Sequence, residues 1–556
     1  MTGRLPFRSA EARAAAMAGA MLAGLMLPGT ATAQKAKQRG AEVQRAVDAA
    51  PGLSDGPPTP GAPSTVAPEP RPIDNRPAVS RRPTVAAAAA AVRVSNDAWD
   101  DAAHGKAAEL IRTGQYQAAL TELDRVEALV PPASLGNWKQ SLGMGADALR
   151  GIALHKLGKS AEGDVLFARI EERRGYSASY MRLLRSARLF VEHDPARQFE
   201  LIRNSAALEP SLFKPLFWFA VMEGRFADAL QIAPHVSFDL ARSHGGWTSA
   251  EEHNARYEAI AERGRFEGSI FYLLTVQGQP EAAAARLAEF RKDIAEWGAP
   301  PSSPNPGLDA RYDYDRRKGG AAEARELLAE WEGAIALRAT LKGKSLAVAE
   351  PLLPASKLAG TMVLADLLRQ IAPADAFERA KLEATLARWR RDTAEMRESL
   401  MMPTMASIVE LFPDSERYMA RPNMRREGGW LGDGNNGFKV SPDKQTGLVH
   451  VRFGSTDGSR AMVEEAAMTA AANYARSKRK DSFVLTSFSI LKRSTTIVGA
   501  SGYDREVVDS GFEVRLTIRL VDSAAPPADL TNAGWRLIRV DPLIAKLSPV
   551  YAVPKS

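Results

Sequence analysis

The chain has 556 residues, 45% of them hydrophobic and 25% charged, a composition typical of globular proteins with room for two to four domains. It contains no cysteine, which excludes disulfides, thiolate nucleophiles, Cys-ligated zinc and iron–sulfur clusters. The net charge of +7 is a small excess of 73 basic over 66 acidic residues, so we expect no nucleic-acid partner.

The N-terminus has the order of a secretory signal peptide. Three arginines precede an apolar run, Ala14 to Leu27, and a small-residue triplet ends at Ala33. The run is shorter than the about 20 residues that a membrane-spanning helix needs. We therefore predict that residues 1–33 are removed by cleavage near Ala33, that no transmembrane segment remains, and that the product is periplasmic or secreted. An uncleaved membrane anchor is the alternative.

Residues 34–94 form a Pro- and Ala-rich segment. Ten prolines fall between Pro51 and Pro83, mixed with small and polar residues. Proline at this density removes backbone donors and favours extended chain, and the segment has too few apolar residues to form a core. We predict a disordered linker.

Residues 95–300 are predicted to form successive helices with short Gly- or Pro-containing turns. The segment Ala102 to Pro131 resembles a tetratricopeptide repeat, in which small residues allow two helices to approach and glycine forms the turn. Similar spacing recurs, but the turn glycines are 44, 66 and 54 residues apart, which indicates an irregular α-solenoid. The residues that define the repeats are Ala107, Leu110, Gly114, Tyr116, Ala119, Leu123 and Pro131, then Gly158 and Phe167, then Gly224, Phe226 and Ala229, and finally Gly278 and Ala283.

Helices continue through residues 301–425, with the clearest patterns over Ala321 to Leu337 and Asp375 to Leu400. The second pattern alternates acids and bases around an apolar stripe. We expect these helices to extend or cap the solenoid.

Residues 426–556 are predicted to form a small α+β domain with an antiparallel sheet. A stretch rich in Gly, Asn and Asp, Glu427 to Gly447, is interpreted as an inter-domain or hairpin-rich segment. Strand patterns then cover 448–454, 483–491 and 512–520, with an Ala-rich helix over 460–480. In the last strand Val514, Leu516 and Ile518 should face the core, and Glu513 should face water. The region resembles a small domain of exported bacterial proteins without assigned activity.

Candidate sites are few in this sequence. No histidine forms HExxH or HxH, and no GxSxG, P-loop, GxGxxG or SxxK stands between a strand and a helix. We predict no catalytic residue, no metal and no cofactor. Four cations end the Ala-rich helix: Arg476, Lys478, Arg479 and Lys480. The negative end of the helix dipole favours positive charge at this position. The alternative is that these cations contact an anionic glycan or lipid headgroups.

The fold class we predict is mostly α: an irregular tetratricopeptide-like solenoid followed by a small α+β domain. Such a solenoid presents a groove, so we expect a non-catalytic scaffold in the bacterial cell envelope that binds a protein or peptide segment there. The alternatives are an envelope enzyme acting on wall or surface glycan, and a structural subunit of an export or surface-assembly complex.

Overall fold

The computed structural model describes residues 101–238, 250–303, 305–353, 362–413, 421–424, 436–498 and 505–551. The predicted signal peptide and linker lie outside these ranges. Among the described residues, no helix combines the length and the apolar character needed to cross a bilayer.

The N-terminal half consists of helices that pack largely against their neighbours in the chain. The predicted fold class is confirmed: the described chain is mostly helical and ends in a small α+β region with an antiparallel sheet. From residue 101 onward, the first nine helices of the described chain are α1 (Asp101–Arg112), α2 (Tyr116–Leu129), α3 (Pro132–Gln140), α4 (Leu142–Lys156), α5 (Ser160–Arg174), α6 (Ala178–Val191), α7 (Pro195–Ser205), α8 (Phe213–Met222) and α9 (Phe226–Ile232).

Four helix pairs are joined by one kind of turn. The glycines at these turns, Gly114, Gly158, Gly224 and Gly278, have φ between +71° and +78°, a conformation that side chains with a Cβ rarely adopt. The residue after each glycine donates its amide to a carbonyl five residues earlier, at 2.7–2.9 Å. This Schellman-type closure satisfies carbonyls that the end of a helix would otherwise leave unpaired.

Longer helices follow in the middle of the chain. The largest of them, α12 (Leu308–Leu341), is 34 residues long and packs along the 27-residue α10 (Ala250–Val276). The helix predicted over 321–337 is therefore longer than predicted at both ends. The bounds are α10 (Ala250–Val276), α11 (Pro280–Trp297), α12 (Leu308–Leu341), α13 (Leu346–Ala349), α14 (Met362–Arg369), α15 (Ala376–Met401) and α16 (Met405–Val409).

The chain returns to its first helices at α16. Met405 and Ile408 are buried in the same core cluster as residues of α1, α2 and α4. The ring of Phe412 lies 5.1 Å from the ring of His104, edge to face. The helices after residue 301 therefore also cover the first helix pair.

The C-terminal region is a five-stranded antiparallel sheet with order β1-β2-β4-β3-β5. Helix α17 lies between one face of this sheet and the helical region, which explains why its small residues are buried on most of its circumference. The elements are β1 (Gly437–Pro442), β2 (Leu448–Ser455), α17 (Arg460–Ser477), β3 (Ser482–Val498), β4 (Arg505–Val521), β5 (Ile538–Arg539) and α18 (Val540–Leu547).

Strand β1 lies inside the stretch interpreted as inter-domain or hairpin-rich, and it forms a hairpin with β2. One prediction for this region was wrong. Glu513 was predicted to face water but is only 7% exposed, and its carboxylate accepts a hydrogen bond from Arg515 at 2.7 Å. The core positions Val514, Leu516 and Ile518 are buried as the alternation predicts.

Candidate functional site

A groove of about 1020 Å³ runs along helices α4 to α7. The end of α4 contributes His155, and the turn between α8 and α9 closes the groove with Glu223 and Arg225. No single sequence motif supplies these residues, because each helix contributes only one or two turns to the lining.

Phe167 of α5 forms part of the groove floor and is fully buried beneath the lining. The ring of His155 stacks on it, with centroids 5.4 Å apart and planes 18° apart. Two glycines permit this packing: a Cβ at Gly151 would lie 2.4 Å from the Phe167 ring, and one at Gly163 would lie 2.5 Å from the His155 ring. The small residues therefore set the depth of the groove by letting α4 and α5 approach closely.

The charged side chains along the groove are paired. His155 Nε2 lies 3.0 Å from Asp164 Oδ1, and Arg188 donates to Glu171 at 3.0 Å. Arg225 donates to Asp228 at 2.6 Å, and its guanidinium lies 3.8 Å from the centre of the Phe199 ring. The groove thus combines an apolar floor with a mixed-sign rim, which suits a peptide segment better than a single charged group.

Ser160 lines the groove beside the His155–Asp164 pair, and among the described residues no hydrogen bond joins Ser160 to His155. The described residues also contain no group of three or more His, Cys, Asp or Glu placed to hold a metal ion. What the arrangement offers is shape, apolar surface and hydrogen bonding.

Two carboxylates join the helical region to the C-terminal region. Glu464 of α17 accepts hydrogen bonds from the backbone and hydroxyl of Ser179, at 2.9 and 2.5 Å, and from the hydroxyl of Ser177 at 2.7 Å. Because Ser177 is the N-cap residue of α6, the carboxylate lies at the positive end of that helix dipole. Glu464 is only 1% exposed, so this contact is part of the interior.

Glu465 makes the second buried contact. It accepts from Arg174 at 2.7 Å and from the Tyr551 hydroxyl at 2.9 Å, and it is 2% exposed. The Arg174 guanidinium also lies 4.8 Å from the centre of the Tyr180 ring. Glu464 and Glu465 therefore join α17 to the helical region. The sequence analysis missed this role, although two glutamates within an otherwise apolar helix could have indicated buried carboxylates.

Arg536 makes a third contact between the regions. It donates to the Leu485 carbonyl at 3.0 Å and contacts His235 Nδ1, while its guanidinium lies 4.4 Å from the centre of the Phe213 ring. Burial, helped by the charge of Arg536, lowers the pKa of His235 to about 4. Burial also lowers the pKa of Arg536 to about 10, so at neutral pH it remains charged next to a neutral imidazole.

Most of the predicted repeat residues lie in the interior. Ala107, Ala119, Leu123, Phe167, Ala229 and Ala283 are almost completely buried, while Leu110, Tyr116, Pro131 and Phe226 are partly buried. The turn glycines Gly114, Gly158, Gly224 and Gly278 are exposed. Of these fourteen residues, only Phe167 lines the groove, so the others act in helix packing and turns.

The four cations predicted to contact an anionic surface lie at and just after the end of α17. Arg476 is paired with Asp541 at 2.9 Å, and the Lys478 ammonium lies 5.5 Å from the centre of the Tyr474 ring. Arg479 has a φ of +56°, so it forms the turn into β3, and Lys480 follows it. The end of α17 and the turn into β3 explain why cations stand at these four positions, and none of them lines the groove.

Comparison of the chain with family models, with curated proteins and with solved structures gives no match.

Proposed function

We propose that this protein is a non-catalytic scaffold of the bacterial cell envelope, which binds an extended segment of a partner protein in the groove along α4 to α7. The observation that carries the proposal is the groove itself: four consecutive helices line it with apolar and paired charged side chains, over a core that includes the buried ring of Phe167. Repeat proteins use such surfaces to bind extended segments. The resemblance of Ala102 to Pro131 to a tetratricopeptide repeat and the four equivalent glycine turns agree with this assignment.

The buried pair Glu464 and Glu465 supports assembly of the chain and has no part in glycan cleavage. A glycosidase needs two carboxyl groups that face a substrate cleft in different environments. Glu464 accepts hydrogen bonds from Ser177 and Ser179, Glu465 accepts one from Arg174, and both glutamates are buried at the junction. The carboxylates that line the groove are Asp164, Glu192, Asp194, Glu200 and Glu223, so these are the residues at which the enzyme alternative is tested.

The location follows from the predicted signal peptide. We propose that cleavage near Ala33 releases the folded region on a proline-rich tether outside the cytoplasm. Mass measurement of the protein recovered from its native cells tests this directly. A mature chain that begins near Gln34 agrees with the proposal, and a chain that retains Met1 to Ala33 contradicts it.

A large side chain placed in the groove tests whether the partner binds there. Ala196 is exposed in the first turn of α7 and lines the groove, so Ala196→Trp should obstruct the site without disturbing a buried side chain. Ala118→Trp, at an exposed position of α2 outside the groove, is the matched control. In-cell cross-linking from Arg197, which is 76% exposed at the groove rim, should give a defined protein adduct.

The adduct should disappear in Ala196→Trp and persist in Ala118→Trp. Equal cross-linking in the two variants, with both well folded by circular dichroism, would show that the partner does not occupy the groove. Release of sugars from wall glycan by the purified protein, abolished by a single Glu→Gln change, would instead identify an enzyme.

A further inference from the structure

The β3–β4 hairpin extends beyond the rest of the sheet. Strand β4 pairs with β2 from Arg519 to Phe512, and the pairing with β2 ends there. From Asp509 to Arg505, β4 continues to pair with β3. Within the described part of the chain, no third strand pairs with this outer part of the hairpin, which we call the ribbon. A ribbon of only two strands is at best marginally stable in water, so a further strand would stabilise it.

Gly511 marks the base of the ribbon. Its φ is +101°, and a Cβ at this position would lie 2.0 Å from the carbonyl oxygen of Ser455, at the end of β2. The register shifts at the same point, because the pair after Lys492 and Phe512 is Ser494 and Asp509. The extra residue on β4 is a bulge, which bends and twists a strand. The ribbon therefore leaves the sheet at a position that a side chain would not fit.

The other edges of the sheet carry features that prevent pairing with a further strand. The edge strand β1 contains Lys439 and ends at Pro442. The outer edge of β3 has register shifts on both sides of Phe488, and Lys492 lies on it. Lysine, proline and bulges on an edge oppose the addition of a strand from another chain. The β4 edge from 505 to 509 has no proline, no lysine and no register shift.

The sequence of this β4 edge is complementary to itself. In two copies of one strand that pair antiparallel about a two-fold axis, positions equally far from the axis on either side stand opposite each other. An axis at Val507 places Arg505 opposite Asp509, twice, and Glu506 opposite Val508. An axis at Glu506 or at Asp509 would place carboxylates opposite each other. Because like charges opposite each other destabilise a pair of strands, the charges favour the axis at Val507.

We propose that the β4 edge of the ribbon pairs antiparallel with the same edge of a second copy of this chain, about a two-fold axis at Val507. The two ribbons would then form four adjacent strands, which supplies the additional strands that each ribbon lacks. Charge complementarity between Arg505 and Asp509 argues for a second copy as the partner. This proposal is independent of the groove along α4 to α7 and of the segment proposed to bind there.

A single cysteine tests the register. The chain contains no cysteine, so Val507→Cys introduces the only thiol. Residues directly opposite each other in an antiparallel pair have Cα atoms about 4.5 or 5.5 Å apart, within the range of a disulfide. Oxidation of the full chain with Val507→Cys should give a covalent dimer on non-reducing gels. Val508→Cys is the matched control, because the two copies of position 508 would be about 8 Å apart, beyond the reach of a disulfide.

Two charge reversals test the pairing of Arg505 with Asp509. Arg505→Glu and Asp509→Arg each turn two opposite-charge pairs of the dimer into like-charge pairs, so each should raise the dimer dissociation constant about tenfold or more. An equimolar mixture of the two variants should dimerise as tightly as the original chain, because every position 505 would again oppose the opposite charge at 509. Lys292→Glu, at an exposed position of α11, should change the constant less than about twofold.

Sedimentation equilibrium of the full chain and of each variant measures these constants. A chain that stays monomeric at every concentration would overturn the proposal. Equal cross-linking of Val507→Cys and Val508→Cys would overturn the register, and a mixture that dimerises no better than either charge variant alone would overturn the pairing of Arg505 with Asp509. Dimerisation unchanged in both charge variants would show that two copies meet elsewhere, which would also overturn the proposal.

Discussion

The groove of the helical region and the junction with the sheet region differ in how their charges are buried. Along the groove, positive and negative side chains are paired near the surface, as for His155 with Asp164 and Arg225 with Asp228. At the junction, Arg174 and Glu465 form a pair in the interior, where both are almost completely buried. Exposed pairs contribute little to stability, whereas a buried pair is costly to break. The groove should therefore tolerate substitution of its charges, and the junction should not.

The largest expected effect concerns the junction. Arg174→Ala removes the partner of the buried Glu465 carboxylate, and breaking a buried ion pair in this way costs about 3–5 kcal/mol. Urea denaturation should show the helical region and the sheet region unfolding at separate midpoints.

The neighbouring change Arg173→Ala is the control, because Arg173 is exposed and donates only to the Lys139 carbonyl. It should alter stability by no more than about 0.5 kcal/mol. If the two arginine variants unfolded alike, the junction would not depend on the buried pair.

The second prediction concerns the junction at His235. Its folded pKa of about 4 lies below the value of 6.5 for an unperturbed histidine. The unfolded chain therefore binds a proton at a higher pH than the folded chain does. The stability that the neutral ring provides is complete above about pH 6.5 and is lost as the pH falls toward 4, by about 2–3 kcal/mol.

The His235→Gln variant isolates this effect, because the glutamine side chain does not titrate and its amide oxygen can still accept a hydrogen bond from Arg536. The difference in unfolding free energy between the two proteins should shrink as the pH falls from 6.5 to 4 and be constant from 6.5 to 8. A difference that does not change with pH would show that His235 does not titrate in this way.

The third prediction concerns the floor of the groove. Gly151→Ala would place a Cβ 2.4 Å from the buried Phe167 ring, so the ring must shift in a packed interior. We expect a loss of about 1–2 kcal/mol and weaker binding of the partner segment in the groove.

Gly136→Ala in α3 has no atom within 4 Å of the new Cβ and should instead stabilise the chain by up to about 1 kcal/mol. Thermal unfolding of the two variants measures the contrast. The same sign of change for both would mean that space at Gly151 does not limit the packing of α4 on α5.

The fold was more predictable from sequence than the groove or the junction, and the reason is the range of the contacts. The turn at Gly114 depends on residues five positions apart, and the alternation of Val514, Leu516 and Ile518 depends on one strand, so local patterns were sufficient for both. The junction depends on contacts between distant parts of the chain, because Ser179 and Glu464 are 285 positions apart.

The groove was unpredictable for a related reason. Its lining comes from four helices, and Phe167 was identified as a packing position without any sign that it lies at a groove floor. The burial of Glu513 was missed because alternation assigns a face of the strand but not whether a neighbouring Arg515 covers it.

The smallest expected effect is at the groove rim. Asp164→Asn breaks a charge pair where Asp164 is 68% exposed, and should destabilise the fold by no more than about 0.5 kcal/mol. Because this is an electrostatic effect at an exposed position, it should diminish at 1 M salt in urea titrations. A loss of stability as large as that of Arg174→Ala would show that the exposed pair is as costly to break as the buried pair, and the contrast between groove and junction would then not hold.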